Sequence, residues 1–206
     1  MLTAIEARVI GALLEKERTV PDQYPMSMQG LLGACNQSTA REPVMALTVD
    51  DVDPAIASLK AQGFARIVHP THGRGVTKYR QVFEEKLELD LPATAVLAVL
   101  LLRGPQTAAE LRSRSERLYP FETQQQVDDA LADLAGRGHV RLLDRLPGQS
   151  AQRWQQLVAE EPEFVAPHRA VASSPSGERI AALEATVADL SERLAKLEAA
   201  LADLLE

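Results

Sequence analysis

One stretch of the chain occurs twice, and this constrains the fold more than any other feature. Val52-Asp-Pro-Ala-Ile-Ala-Ser-Leu-Lys-Ala-Gln-Gly-Phe-Ala-Arg-Ile-Val68 aligns without a gap to Val127-Asp-Asp-Ala-Leu-Ala-Asp-Leu-Ala-Gly-Arg-Gly-His-Val-Arg-Leu-Leu143. Val52, Ile56 and Leu59 recur at helical spacing, as do Val127, Leu131 and Leu134, and each set predicts a helix. Gly63 and Gly138 then stand where a left-handed helix end favours a residue without Cβ. A short alternating apolar segment follows each glycine and predicts a strand.

The flanks repeat as well. A second strand is expected over 76–83, after the Gly73-Arg74-Gly75 turn, and over 152–158, after Pro147-Gly148. Upstream, helices are expected over 2–17 and 92–103, the first opened by a capping box of Thr3 and Glu6. Shorter helices are expected over 27–35 and 107–118, the latter capped by Thr107 with Glu110. Three helices followed by a β-hairpin is the winged-helix variant of the helix-turn-helix. The expected fold class is therefore mainly α (α+β), with two tandem winged-helix domains over 1–86 and 87–160. The first copy carries two insertions, Thr19-Val-Pro-Asp-Gln-Tyr-Pro25 and a segment from Asn36 to Leu47, which a plain winged helix does not need.

Beyond residue 160 the pattern changes. Pro162, Pro167, Pro175 and Gly177 mark 161–177 as a linker. Ile180, Leu183, Val187, Leu190, Leu194, Leu197, Leu201 and Leu204 then alternate at steps of three and four, an a/d heptad seam over 178–206. Branched residues at a with Leu at d favour a parallel two-stranded coil. Arg179 facing Glu184, and Arg193 facing Glu198, would pair across it. A homodimer through this C-terminal coiled coil is expected.

The single cysteine, Cys35, excludes a disulfide within one chain and fits a reducing compartment. Its surroundings read as a small core residue rather than a nucleophile. The N-terminus lacks the basic and apolar runs of a signal peptide. The most apolar stretch, 95–102, is too short to span a bilayer. These features point to a cytoplasmic chain with no membrane partner. The formal net charge of −7 is concentrated in the tail, where residues 161–206 hold 4 Lys and Arg against 9 Asp and Glu. The body, 1–160, is nearly neutral, so whole-chain charge does not decide what it binds.

The insertions also carry a resemblance. Glu15-Lys-Glu-Arg-Thr19, Pro21-Asp-Gln-Tyr-Pro25, Ala34-Cys-Asn-Gln37 and Arg41-Glu-Pro-Val44 resemble the signature of the YceH-like family of uncharacterised bacterial proteins. Leu101-Leu-Arg-Gly-Pro-Gln-Thr107 and Leu118-Tyr-Pro-Phe121 are similar to its second-domain signature. The resemblance implies tandem winged helices and a heptad tail, and no activity. The family pattern carries Lys after Asn-Gln. Here Ser38 stands instead, so if that lysine contacts phosphate in the family, this chain lacks the contact.

No phosphate-binding glycine loop and no Ser, His and acid set is evident, and His69 with His72 alone is too few ligands for a metal. A non-enzymatic protein without cofactor or metal is expected. Its candidate contacts with nucleic acid are the cations around the two wings: Arg66, Arg74, Lys78 and Arg80 in the first, and Arg141, Arg145 and Arg153 in the second, with Arg112 and Arg114 on the preceding helix. The candidate family-motif surface is Asp22, Gln23, Tyr24, Asn36, Gln37 and Arg41, read either as a partner surface or as groups that satisfy loop backbone. Gln124, Gln125 and Gln126 could read adenine edges or be an ordinary polar helix start. The third helices open acidically, with Asp50, Asp51 and Asp53 in one and Glu122, Asp128, Asp129 and Asp133 in the other, which repels phosphate. Two functions follow: a dimeric, regulator-like DNA-binding protein, or a protein–protein adaptor with no DNA affinity.

Overall fold

The computed structural model describes residues 1–69, 75–145 and 151–160. The linker at 161–177, the heptad seam from Ile180 to Leu204, His72 and Arg74 lie outside these residues. Among the described residues the chain is mixed α and β, with seven α-helices and two small antiparallel sheets, inside one compact unit, Met1–Pro162.

The sequence repeat recurs in the order of elements. The first copy runs α1 (Ala4–Thr19), a 3-10 turn (Pro21–Gln23), β1 (Met26–Ser27), α2 (Met28–Cys35), α3 (Val49–Ala61), β2 (Ala65–Val68) and β3 (Lys78–Gln81). A short helix, α4 (Phe83–Lys86), leads to α5 (Leu91–Arg103), α6 (Ala108–Arg114), α7 (Gln124–Gly136), β4 (Val140–Leu142) and β5 (Trp154–Gln156). Strand register repeats residue for residue. Ala65 pairs with Gln81, Arg66 with Arg80 and Ile67 with Tyr79. Their counterparts pair in the same order: Val140 with Gln156, Arg141 with Gln155 and Leu142 with Trp154. Met26, just before α2, pairs with Tyr79, and Gln106, just before α6, bridges to Trp154.

Local chemistry sets these elements. Thr3 and Glu6 form the capping box of α1, and Thr107 and Glu110 that of α6, so donors that no helix carbonyl can take are bonded. The two glycines that follow α3 and α7 have positive φ, 77° at Gly63 and 74° at Gly138, which a side chain would oppose.

Several boundaries differ from the sequence expectation. The first helix starts at Ala4 because Leu2 is bonded in a parallel bridge to Ala159. α3 opens at Val49, where Thr48 and Asp51 form a capping box. The helix expected over 107–118 stops at Arg114: the Ser115 hydroxyl donates to Leu111 O at 2.6 Å, and Leu118 and Tyr119 N–H both turn back to Ser115 O.

The two copies share one core. α1 lies against α5 so closely that a Cβ on Gly11 would stand 2.9 Å from Leu102 Cγ and 3.2 Å from Leu101 Cβ. Val9, Ile10 and Leu13 of α1 are fully buried, as are Val96 and Leu97 of α5, each worth about 1.5–3 kcal/mol of burial for side chains of this size. Main-chain bonds also join the two copies. Leu2 N–H donates to Val158 O at 3.0 Å and Glu160 N–H to Leu2 O at 2.7 Å, while Glu42 N–H donates to Leu102 O at 2.8 Å. No described helix is long and apolar enough to cross a membrane.

Candidate functional site

The insertion between α2 and α3 is held from beneath by two buried arginines. Arg41 donates through Nη1 and Nη2 to both carboxylate oxygens of Glu15, at 3.1 and 2.6 Å, and through Nε to Ala34 O at 3.0 Å. Burial pushes the Glu15 carboxyl up, but Arg41 and the adjacent Lys16 outweigh it and hold the group below its ordinary value. Arg8 sits on the inward face of α1 and reaches the same loop, donating to Cys35 O at 3.1 Å and Pro43 O at 2.6 Å. It has no carboxylate partner among the described residues. Burial, reinforced by the charge of Arg41, draws its guanidinium down to about 10. Arg8 was not singled out by the sequence reading. The signal was there: it falls one helical turn after Ile5 and one before Ala12, on the stripe that must face the core.

Three other motif residues serve the same scaffold. Asn36 spans the loop, donating to Leu47 O at 2.7 Å and accepting from Leu47 N–H at 2.8 Å. Gln37 accepts from Lys16 at 3.2 Å. The Tyr24 hydroxyl accepts from Gln81 N–H at 2.7 Å, and its burial raises its pKa. Of the motif set only Asp22 and Gln23 stand exposed, in the 3-10 turn. Pro43 and Val44 in the loop and Val49 at the start of α3 are exposed apolar residues, with Val44 58% exposed.

The nine candidate nucleic-acid cations separate. On the first hairpin Arg66 and Arg80 are direct cross-strand partners, and Lys78 is two residues from Arg80 on the same face. Arg80 is paired with Glu85 at 2.7 Å. Arg74 lies outside the described residues. In the second copy Arg141 donates to Gln155 at 2.9 Å. Arg153 donates to Pro105 O and to Glu110, both at 2.9 Å. Arg114 lies 3.5 Å from Glu110 on the same helix, and Arg112 donates to Glu122 O at 2.6 Å. Arg145 is exposed near the end of the hairpin arm. The structure thus brings Arg66, Lys78 and Arg80 to one face and ties Arg112, Arg114, Arg141 and Arg153 to internal partners.

The third helix of each copy presents carboxylates outward. Asp50 and Asp53 are exposed on α3, and Asp128, Asp129 and Asp133 on α7. The exposed cations of these helices and their ends are Lys60 and Arg137, and Arg137 is paired with Asp133 at 3.0 Å. Gln124 and Gln125 donate to Asp128 and Asp129 one turn along, and Gln126 accepts from Glu122 N–H at 2.9 Å. The Cys35 thiol is buried, and burial pushes it up to about 11. His69 is exposed, and its sequence partner His72 lies outside the described residues. No cluster of metal-ligating side chains occurs among the described residues.

A family model described as a protein of unknown function, DUF480, matches residues 2–152. The chain belongs to this family. It is 44% identical over 192 residues to a UPF0502 protein of Solibacter usitatus, covering 92% of each chain. It is 43% identical over 199 residues to the UPF0502 protein YceH of Salmonella arizonae, again covering 92% of each, and 45% identical over 205 residues to a UPF0502 protein of Shewanella loihica, covering 92% of this chain and 94% of the relative. The resemblance drawn from the insertion motifs therefore holds along nearly the whole chain. In structural terms Glu15, Asn36 and Arg41, which stand in the motifs that carry the resemblance, fasten the loop between α2 and α3.

Proposed function

We propose that this DUF480 protein is a non-enzymatic, cytoplasmic adaptor built from two tandem winged helices and made dimeric by its C-terminal coil. It docks a protein partner and does not read DNA. The observation that carries this reading is the charge of the third helices. A winged helix that reads a major groove sets its third helix against phosphate. Here that helix exposes Asp50 and Asp53 in one copy and Asp128, Asp129 and Asp133 in the other. Carboxylates so placed are repelled by a phosphate backbone and suit protein docking. Exposed Pro43 and Val44 in the loop before α3 and Val49 in its first turn add apolar surface of the kind a protein interface uses.

A second reading has its own support. Arg66 and Arg80 stand side by side on the first hairpin with Lys78 beside them. Like charges directly opposite in a sheet cost stability, and phosphate contact would repay that cost. In this reading the first wing grips duplex DNA by its backbone, without sequence reading by α3 or α7.

One experiment separates the two. A photo-cross-linking amino acid is placed at Ala57 or Ala132, exposed on α3 and α7, in full-length protein in bacterial cells. Discrete protein adducts from both positions, none from an exposed control such as Gln23, and no affinity for random duplex DNA at about 50 or about 200 mM salt support the adaptor. Nucleic-acid adducts, with micromolar DNA binding that falls with a log–log slope of about 0.9 per phosphate contact, overturn it and favour the wing.

A further inference from the structure

β2 is the outermost strand of the first sheet, whose order is β1-β3-β2. Val82 N–H donates to Phe64 O at 2.9 Å, just ahead of the ladder that pairs Ala65 with Gln81 and Arg66 with Arg80. Residues of an antiparallel strand alternate: one exchanges both main-chain bonds with its neighbour, and the next turns both groups away. The Phe64 carbonyl, Arg66 and Val68 thus bond towards β3, while the Phe64 N–H donates to Leu59 O at 2.8 Å and Ala65, Ile67 and His69 turn N–H and C=O to the open edge. Ala65 is covered, at 3% exposure. Ile67 is half-buried and His69 exposed, and neither bonds a main-chain group on that side among the described residues. Among the described residues the edge therefore offers a short run of donors and acceptors without main-chain partners.

Beside this edge runs an open groove, flanked by Lys60 and Gly63 at the end of α3 and by Arg66, Ile67 and His69 of the strand, with no carboxylate in its lining. The internal repeat supplies a comparison within the same molecule. At the positions equivalent to Lys60 and His69 the second copy has Ala135 and Asp144, so its own edge strand lacks this character. Cations beside an edge are also a common guard against strand pairing. Such a guard repels ordinary strands, yet it attracts one that carries carboxylates.

We propose that the open edge of β2 accepts an extended acidic segment of a partner protein as an added strand. The main chain of that segment bonds to Ile67 and His69, and its carboxylates, alternating onto one face, meet Lys60 and His69, while Arg66 stands on the other face of the strand. This is peptide recognition by strand addition, in which backbone bonds supply affinity and flanking side chains supply selectivity. The inference rests on the adaptor reading and gives that adaptor one partner chemistry at a surface separate from the outer faces of α3 and α7.

The test uses full-length 15N-labelled protein and a fluorescein-labelled peptide of alternating Glu and Val. The peptide is expected to shift the Ile67 and His69 amide resonances and slow their hydrogen exchange. N-methylation of one alternate set of peptide residues should weaken binding by about tenfold or more, through the loss of two main-chain bonds, and N-methylation of the other set should be tolerated. The double change Lys60→Glu and His69→Glu, both at exposed positions, should abolish binding and leave the circular dichroism spectrum unchanged. Equal tolerance of both N-methylated sets, equal binding of a Lys–Val peptide, or duplex DNA shifting these amides where the Glu–Val peptide does not would overturn the proposal. If the peptide fails while the cross-links from Ala57 and Ala132 persist, the β2 edge is refuted and the adaptor reading stands; if both fail, both are refuted.

Discussion

Arg41 and Glu15 meet through two parallel contacts, at 3.1 and 2.6 Å, with the arginine side chain wholly buried. The pair joins the insertion to α1, and Arg41 also bonds the last turn of α2 through Ala34 O. Removing one partner of a buried pair strands the other charge without compensation, at a cost of about 3–5 kcal/mol. Glu15→Ala is therefore expected to destabilise the fold by about 3 kcal/mol or more and to expose the amides of the 36–47 loop to exchange. Urea denaturation with hydrogen exchange measures both, and a change below about 1 kcal/mol would show that the pair does not hold the loop.

The same carboxylate sets an acid sensitivity. Glu15 is held below its ordinary value of 4.5 in the fold, and Glu110 is lowered likewise, its burial outweighed by Thr107, Arg153 and Arg114. A group whose folded pKa is depressed contributes stability above its unfolded pKa and loses it as pH falls through the folded one. Stability is thus expected to be level towards neutrality and to decline below about pH 4.5. Denaturant midpoints at pH 7, 5, 4 and 3 trace this fall, which should be shallower in Glu15→Gln. A Glu15→Gln curve parallel to that of the wild type would remove Glu15 from the explanation.

Much of the scaffold was legible in the sequence because it is local. Helix spacing, the Thr3 and Thr107 caps and the glycine ends at 63 and 138 each depend on neighbours a few residues away, and the repeat of one segment seventy-five residues on carries through to a matched strand register in the fold. What could not be read was non-local. Nothing in the spacing of Arg8 says that its guanidinium meets carbonyls at 35 and 43, or that Glu15 rather than an insertion residue takes Arg41. The wing arginines look alike as a list of cations. Only folding separates Arg153, drawn to Glu110, from Arg66, which faces Arg80.

The contact of α1 with α5 predicts opposite outcomes for two glycine substitutions. Gly11→Ala would drive a methyl to 2.9 Å from Leu102 Cγ. Overpacking of this kind costs about 1–3 kcal/mol, more than the gain of up to about 1 kcal/mol from alanine in a helix. Gly33→Ala on α2 meets nothing within 4 Å and should stabilise by about 0.5–1 kcal/mol. Thermal melts of the two variants should move in opposite directions. A stabilised Gly11→Ala would mean that the two copies do not pack as closely as described.

Cys35 makes its own chemical prediction. Its thiol is buried at the end of α2 and pushed up to about 11, and a thiol reacts as thiolate. At pH 8 an aromatic disulfide reagent should leave native protein unlabelled over the time in which urea-unfolded protein reacts to completion. Prompt labelling of the native state would place Cys35 at the surface and reopen a redox role for it.

The coil prediction rests on sequence periodicity alone. Ile180, Val187, Leu194 and Leu201 fill one seam position and Leu183, Leu190, Leu197 and Leu204 the other. Proline within a helix removes a main-chain bond and clashes with the preceding turn, at about 3 kcal/mol or more, so Leu190→Pro should break the seam near its middle. Light scattering of the full-length protein should give the mass of a dimer for the wild type and of a monomer for Leu190→Pro, with the melting of residues 1–160 unaltered. A dimer mass that survives the proline would move the association out of the heptads and onto the body, where the free edge of β2 and the exposed faces of α3 and α7 are the surfaces to examine.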